Sequence, residues 1–172
     1  MQFFAGPLKE LAEYEEIQKK RTEKQGMIQI SGCVTSQKTH LMYALGDGFS
    51  YKIIVFSSEE KAQKAYEEYR FLDSGVLYYP ARDLLFYHAD IKGNYLMKQR
   101  MEVIRSMVTR QKNQEITVIT TMDAFLDGLS PAEEIVSKRI RISSGDTVDF
   151  TKLQERLSGL GYAREVQIEG PG

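Results

Sequence analysis

The chain has 172 residues, of which 42% are hydrophobic and 27% are charged, a composition typical of a globular protein and unlike that of a disordered one. Its 23 Lys and Arg nearly balance its 24 Asp and Glu, giving a net charge of −1 that argues against a dedicated nucleic-acid clamp. A single cysteine excludes an internal disulfide framework and favours an intracellular, cytoplasmic protein, and no apolar run approaches the roughly 20 residues that span a bilayer.

The first predicted elements are a helix, a strand and a loop. Pro7 suits a first helical position, and apolar residues recur at three-residue intervals after it, which predicts an amphipathic helix over 7–24. The apolar run at 27–31 predicts a short buried strand. Residues 32–37 are then predicted to form a loop, and residues 38–45 a short helix.

A second strand is predicted over 52–56, where successive residues are apolar, as in strands that are covered on both faces. Ser57 is positioned to cap the next helix, and Glu60 three residues later completes a capping box. That helix carries one apolar stripe that we expect to face the sheet, made of Ala62, Ala65, Tyr66, Tyr69 and Leu72.

Three longer elements and one short helix follow. They are a strand over 75–79, a long helix over 94–110, a strand over 115–121 and a helix over 123–126. Because strands alternate with helices, we predict an α/β fold with a parallel sheet and helices on both faces. The long helix is predicted to bury Met97, Met101, Ile104 and Val108.

The character of the chain changes after Pro131. Residues 138–143 alternate basic and apolar side chains, which predicts a half-exposed strand. Asp149 is positioned to cap a helix that ends near Leu157, and residues 163–169 are predicted to start another strand. We therefore predict two domains, 1–133 and a small α+β subdomain over 134–172.

The residues before the second helix are similar to a phosphate-binding loop, whose pattern is glycine, any four residues, then Gly-Lys-Ser/Thr. Gly32, Lys38 and Thr39 match that pattern, but Gln37 stands at the second glycine. That glycine lets successive N–H groups turn towards the phosphates, so a side chain there obstructs the site. We therefore predict a degenerate loop that holds no nucleotide, metal or other cofactor.

The remaining candidates are predicted to be structural. Cys33 has no histidine near it in sequence to activate its thiol, and His40 and His88 lack the neighbours of a metal site. The basic clusters 19–21 and 138–141 are interpreted as solvated surface rather than as phosphate contacts. Core packing is likewise preferred to base stacking for the aromatic residues Tyr78, Tyr79, Phe86 and Tyr87.

Taken in order, these motifs resemble the N-terminal UvrB-like module of bacterial transcription-repair coupling factors, the Mfd family. Their order and spacing over nearly the whole chain carry the resemblance. The matching parts are residues 7–11, 30–32, 79–87, Arg100, residues 116–131, 145–146, 160–164 and 169–172.

The resemblance implies a degenerate helicase-type, RecA-like domain that has lost ATP binding, followed by the start of a subdomain that recruits the excision-repair protein UvrA. Tyr162 and Arg164 are the partner-binding positions that it carries over. In that family a separate motor hydrolyses ATP, so DNA and RNA polymerase would be engaged only through other domains of the parent protein. The family continues past residue 172, and we therefore expect a truncated chain without enzyme activity of its own.

Two alternatives stay open on the sequence. The chain is a nucleotide-binding repair helicase fragment if Lys38 and Thr39 hold ATP. It is a nucleic-acid-binding module if the basic strand at 138–143 and the aromatic residues within 78–87 contact nucleic acid. Gln37 argues against the first alternative, and the net charge argues against the second.

Overall fold

The computed structural model describes residues 3–23, 26–82 and 90–164. In that part of the chain, three parallel strands form one sheet in the order β1-β3-β2: β1 (Tyr51–Phe56), β2 (Leu77–Tyr79) and β3 (Ile116–Thr121). The central strand is therefore β3, all six of whose residues are buried. This arrangement confirms an α/β fold built on a parallel sheet.

Helices occupy most of the remaining chain. In order, they are a 3-10 helix (Phe3–Glu10), α1 (Ala12–Thr22), α2 (Thr35–Leu45), α3 (Glu59–Tyr69), α4 (Asp90–Val108), α5 (Met122–Leu126), α6 (Ala132–Ser137) and α7 (Phe150–Gly159).

Both faces of the sheet carry an apolar core, because successive strand residues point to opposite sides. On one face, Ile119 packs with residues of α2 and α3, among them Tyr43 and Tyr69. On the other face, Ile116 and Val118 pack with residues of α4 and α5. The predicted placement of helices on both faces is therefore correct.

The edge strand β1 departs from its predicted two-sided burial. Ile54 and Phe56 pack into the first core, but Tyr51, Ile53 and Val55 remain 45%, 47% and 37% exposed on the other face. The second core is centred on β2 and β3 instead, with Tyr79, Ile116 and Val118 among its members. Apolar composition alone did not show which face of an edge strand a helix covers.

The predicted strand at 27–31 is wrong. The chain is described there, but it belongs to no strand, and Met27 and Ile30 are 90% and 40% exposed. A strand needs a neighbouring strand for its backbone hydrogen bonds. In the described part of the sheet, β1, β2 and β3 pair only with one another, so residues 27–31 have no strand partner there. The second helix also begins three residues earlier than predicted, at Thr35 rather than Lys38.

Two helix predictions need smaller corrections. The predicted helix over 7–24 divides into the 3-10 helix and α1, which bury Leu8 and Tyr14 against Ala44. Ser58, not Ser57, caps α3, because its hydroxyl accepts from the Lys61 N–H at 3.4 Å. The apolar stripe of α3 is confirmed, with Ala62, Ala65 and Tyr69 buried and Tyr66 and Leu72 packed against the core.

The predicted buried face of the long helix α4 is correct only in part: Ile104 packs against the second core as predicted, but the methionines do not. Met97 and Met101 are 43% and 50% exposed, whereas Val103 and Arg100 are each only 3% exposed. The buried side of the helix therefore includes a charged residue. Periodicity of apolar residues placed the two methionines inside and did not predict that Arg100 is buried.

The chain divides into two compact units, Met1–Asp127 and Gly128–Gly172. The division falls a few residues before the predicted domain boundary at 133/134. In the second unit, Asp149 caps α7 as predicted, accepting from the Thr151 and Lys152 N–H groups. The predicted strand over 138–143 is not formed among the described residues, and the predicted strand over 163–169 falls largely outside them.

Candidate functional site

Gln37, in the predicted degenerate phosphate-binding loop at 32–39, is hydrogen-bonded to the backbone of the same loop. Its side-chain oxygen accepts a hydrogen bond from the Val34 N–H at 3.3 Å, at the start of α2. In a phosphate-binding loop such helix N-terminal N–H groups point at the ligand. Gly32 keeps the left-handed backbone of the loop, with φ of +85°. The glutamine therefore satisfies from within the chain a donor that a phosphate would require.

Thr39 also has a partner inside the fold. It is only 5% exposed, and its hydroxyl donates to a Glu68 carboxylate oxygen at 2.9 Å, which ties α2 to α3. The corresponding hydroxyl of a working loop binds magnesium. Glu68, on α3, is half-buried and accepts this hydrogen bond.

Lys38 is exposed beside these engaged residues. A lysine of this kind contributes a point charge to a phosphate only when the backbone cradles that phosphate. Over the ranges that the structure describes, no group of three or more His, Cys, Asp or Glu side chains is placed to hold a metal ion.

A buried arginine lies at the carboxyl end of β2. Arg100 donates to the Pro80 carbonyl at 2.6 Å, and its Nη2 lies 3.0 Å from Oδ2 of Asp127. Its guanidinium also lies 4.1 Å from the centre of the Tyr79 ring. Arg82 approaches the same carboxylate at 3.7 Å. Sequence reasoning singled out Arg100 only as a family match and missed Asp127, which lies 27 residues further along the chain.

The two tyrosines of β2 lie on opposite faces of the sheet. Tyr78 belongs to the core with α3, and its hydroxyl donates to Glu59, while Tyr79 belongs to the core with α4. Burial is the main cause that raises the pKa of both phenols. These two rings therefore cannot form one stacking platform; Phe86 and Tyr87 lie outside the described residues.

The basic cluster at 19–21 is largely used within the fold. Lys20 pairs with Glu16 at 2.7 Å. Arg21 donates to the carbonyls of Leu45 and Asp47 at 2.7 and 3.0 Å, so it satisfies backbone groups at the end of α2. The cluster is therefore a poor candidate for phosphate binding.

Tyr162 and Arg164 lie beyond the end of α7. Gly161 adopts a φ of +92°, and the Tyr162 N–H donates to the Leu157 carbonyl at 3.1 Å, which closes the helix. Tyr162 is 66% exposed, and Arg164 is exposed without an ion pair to any described residue. Asp149 caps α7, and its carboxylate lies 3.8 Å from Lys152.

No family model, no curated protein and no solved structure matches the chain. Within the described ranges, none of the helices combines the length and apolar character needed to cross a membrane.

Proposed function

We propose that this chain is a non-catalytic, cytoplasmic protein-binding module of the type that opens bacterial transcription-repair coupling factors, and that its second unit recruits UvrA to excision repair. Under this proposal the first unit is a degenerate, RecA-like, UvrB-like domain. The observation that carries the proposal is the exposed pair Tyr162 and Arg164, held in place by the closed end of α7. Tyrosine, tryptophan and arginine are enriched among the residues that contribute most of the binding energy at protein interfaces.

The contacts of Gln37 and Thr39 support the non-catalytic part of the proposal. Nucleotide binding would need a free backbone N–H at this loop, and Gln37 occupies the N–H of Val34. It would also need a free hydroxyl for magnesium, and the Thr39 hydroxyl is bonded to Glu68. The alternative of a nucleotide-dependent helicase fragment therefore has no favourable geometry at this loop.

Binding to immobilised UvrA tests the proposal. We expect Arg164→Glu to weaken binding by about fivefold or more, which corresponds to about 1 kcal/mol at an interface arginine. Lys64→Glu, an equal charge reversal on the exposed side of α3, should leave the affinity unchanged. Equal affinity of the wild type and Arg164→Glu removes Arg164 from the interface, and absence of binding by this chain and by a longer one refutes the proposal.

A further inference from the structure

The sheet of the first unit is covered unevenly on the face that carries α4. On that face α4 packs on β2 and β3, and the described core beneath it contains no residue of β1. Tyr51, Ile53 and Val55 of β1 point to the same face and are 45%, 47% and 37% exposed. We call these three side chains the β1 strip. It is an apolar row about 13 Å long, because residues of a strand are about 3.3 Å apart.

Apolar surface continues beyond the carboxyl end of the β1 strip. Helix α5 begins directly after β3, beside the last residue of β1, and contacts β1. Its residues Met122 and Phe125 are 50% and 53% exposed. Adjacent exposed apolar side chains of this kind, bordered by polar residues, are typical of interaction sites.

The segments outside the described residues are too short to cover the β1 strip with a helix. Helices are the elements that cover the faces of parallel sheets. At a rise of about 1.5 Å per residue, a helix along the strip needs about nine residues. Residues 83–89 are fewer and join β2, at the opposite edge of the sheet, to α4. Residues 165–172 end in Gly-Pro-Gly, which does not continue a helix.

The amino end of the β1 strip carries positive charge. The guanidinium of Arg110 lies 5.1 Å from the centre of the Tyr51 ring and donates to two backbone carbonyls of its own turn. Lys112 in that turn is exposed, and neither cation forms an ion pair with a described residue. The carboxylate of Glu115 is paired with Lys52 at 3.0 Å. This end of the strip therefore favours a partner that carries carboxylates.

We propose that the β1 strip is the docking site of an amphipathic helix of a protein partner, whose apolar stripe is flanked by carboxylates. The helix lies beside α4 and covers the part of the sheet that α4 leaves exposed. Its apolar stripe packs on the strip, and its carboxylates interact with Arg110 and Lys112. The strip belongs to the first unit, so this inference goes beyond the proposed recruitment of UvrA by the second unit and does not depend on it.

A fluorescent peptide tests the inference by anisotropy with the full chain. Its sequence, Glu-Glu-Leu-Ala-Glu-Leu-Leu-Ala-Glu-Leu-Ala-Glu-Leu-Leu, places leucines on one side of a helix and glutamates on the other. We expect saturable binding below about 1 mM. The variant Ile53→Thr, Val55→Thr keeps β-branched side chains in the strand and should weaken binding by about fivefold or more. The matched control is Met27→Thr, Ile30→Thr, which changes exposed apolar residues of the same unit and should bind as the wild type does.

The charge and the helical pattern have their own controls. Lys112→Gln should weaken binding by about threefold, whereas Lys64→Gln, on the exposed side of α3, should leave it unchanged. A peptide of the same composition with the leucine stripe scrambled should not bind. Arg164→Glu should bind the peptide as the wild type does, so a failure of UvrA recruitment and a failure of the β1 strip are distinguishable.

Five results overturn the docking site. The first three are no saturable binding at 1 mM, equal affinity of the Ile53→Thr, Val55→Thr variant, and equal affinity of the scrambled peptide. The fourth is binding only after the chain is shortened to end at Pro131, which means that later residues of the chain cover the strip. The fifth is a concentration-dependent dimer in sedimentation that the same double variant abolishes, which makes a second copy the occupant.

Discussion

The side-chain oxygen of Gln37 accepts a hydrogen bond from the Val34 N–H, so this donor is not available to a phosphate. We therefore expect ATP with magnesium to give no saturable heat in calorimetry at millimolar concentrations, which corresponds to a binding free energy weaker than about 4 kcal/mol. A micromolar dissociation constant that Lys38→Ala abolishes would contradict this prediction.

Arg100 is a charged residue whose burial depends on its partners. Its guanidinium is 3% exposed and is matched by the Pro80 carbonyl and the Asp127 carboxylate. We expect Arg100→Ala to lower the free energy of unfolding by about 3 kcal/mol, because it leaves that carboxylate without its buried partner. Arg105→Ala on the exposed side of the same helix should change it by no more than about 0.5 kcal/mol. Urea denaturation measures the free energy of unfolding of both variants. Equal losses would show that the buried contacts of Arg100 add no stability beyond that of an exposed arginine.

Tyr69 makes the stability depend on alkaline pH. It is 1% exposed, and burial raises its pKa to about 12 from the ordinary value of 10. The unfolded chain therefore loses this proton first, so stability is full below about pH 10 and falls as the pH rises towards 12. Between pH 9 and pH 11 we expect a loss of about 1 kcal/mol from this group. Tyr69→Phe should reduce the loss over that interval in urea denaturation; an unchanged pH profile would contradict the prediction.

At the scale of elements, two adjacent residues in the turn that follows α3 lie in opposite environments. Leu72 is half-buried against the core of Tyr43 and Ile119, whereas Phe71 is 85% exposed. Leu72→Ala should cost about 2 kcal/mol, at the low end for core leucines because its burial is partial. Phe71→Ala should change stability by less than about 0.5 kcal/mol. Thermal unfolding of the two variants compares them directly, and the reverse order would mean that the phase of this segment is wrong.

The helices show what periodicity can and cannot predict. The stripe of α3 was predictable because its buried positions, Ala62, Ala65 and Tyr69, are apolar and its exposed ones are charged or polar. The face of α4 was not, since its buried side contains Arg100. A single inward charge with distant partners, such as Asp127, is invisible to a local pattern because those partners are known only after folding.

Strands depend on neighbours more than helices do. The segments 27–31 and 138–143 both have strand-like composition, yet neither is paired among the described residues. A helix satisfies its backbone hydrogen bonds internally, whereas a strand needs a second one beside it. The sequence therefore predicted where a strand is favourable but not whether a partner strand is present.

At the scale of the whole molecule, the candidate sites were predictable to different degrees. The sequence predicts a degenerate phosphate-binding loop because Gln37 departs from a local glycine requirement, and that interpretation stays a prediction. The hydrogen bonds of this loop to Val34 and Glu68 could not be predicted from the sequence and are known only from the structure. Exposure of Tyr162 and Arg164 agrees with the expectation for a binding surface, and their role stays a prediction.

The first unit contains its own core. The three apolar clusters consist entirely of residues that precede Gly128, and Asp127, which pairs with Arg100, is the last residue of that unit. A chain ending at Pro131 retains all of these groups. Since the stability of a domain follows from the surface that it buries, this shorter chain has what it needs to fold.

We therefore expect the chain ending at Pro131 to unfold cooperatively in urea, with a midpoint close to that of the first transition of the full chain.

The same shorter chain carrying Asp127→Asn should lose about 3 kcal/mol of its free energy of unfolding, because Arg100 then remains buried without its carboxylate. Asp123→Asn, on the exposed side of α5, is the matched control and should stay within about 0.5 kcal/mol. If the shorter chain fails to unfold cooperatively, residues after Pro131 contribute to the core of the first unit. If Asp127→Asn behaves like Asp123→Asn, the Arg100–Asp127 pair does not hold the end of that unit in place.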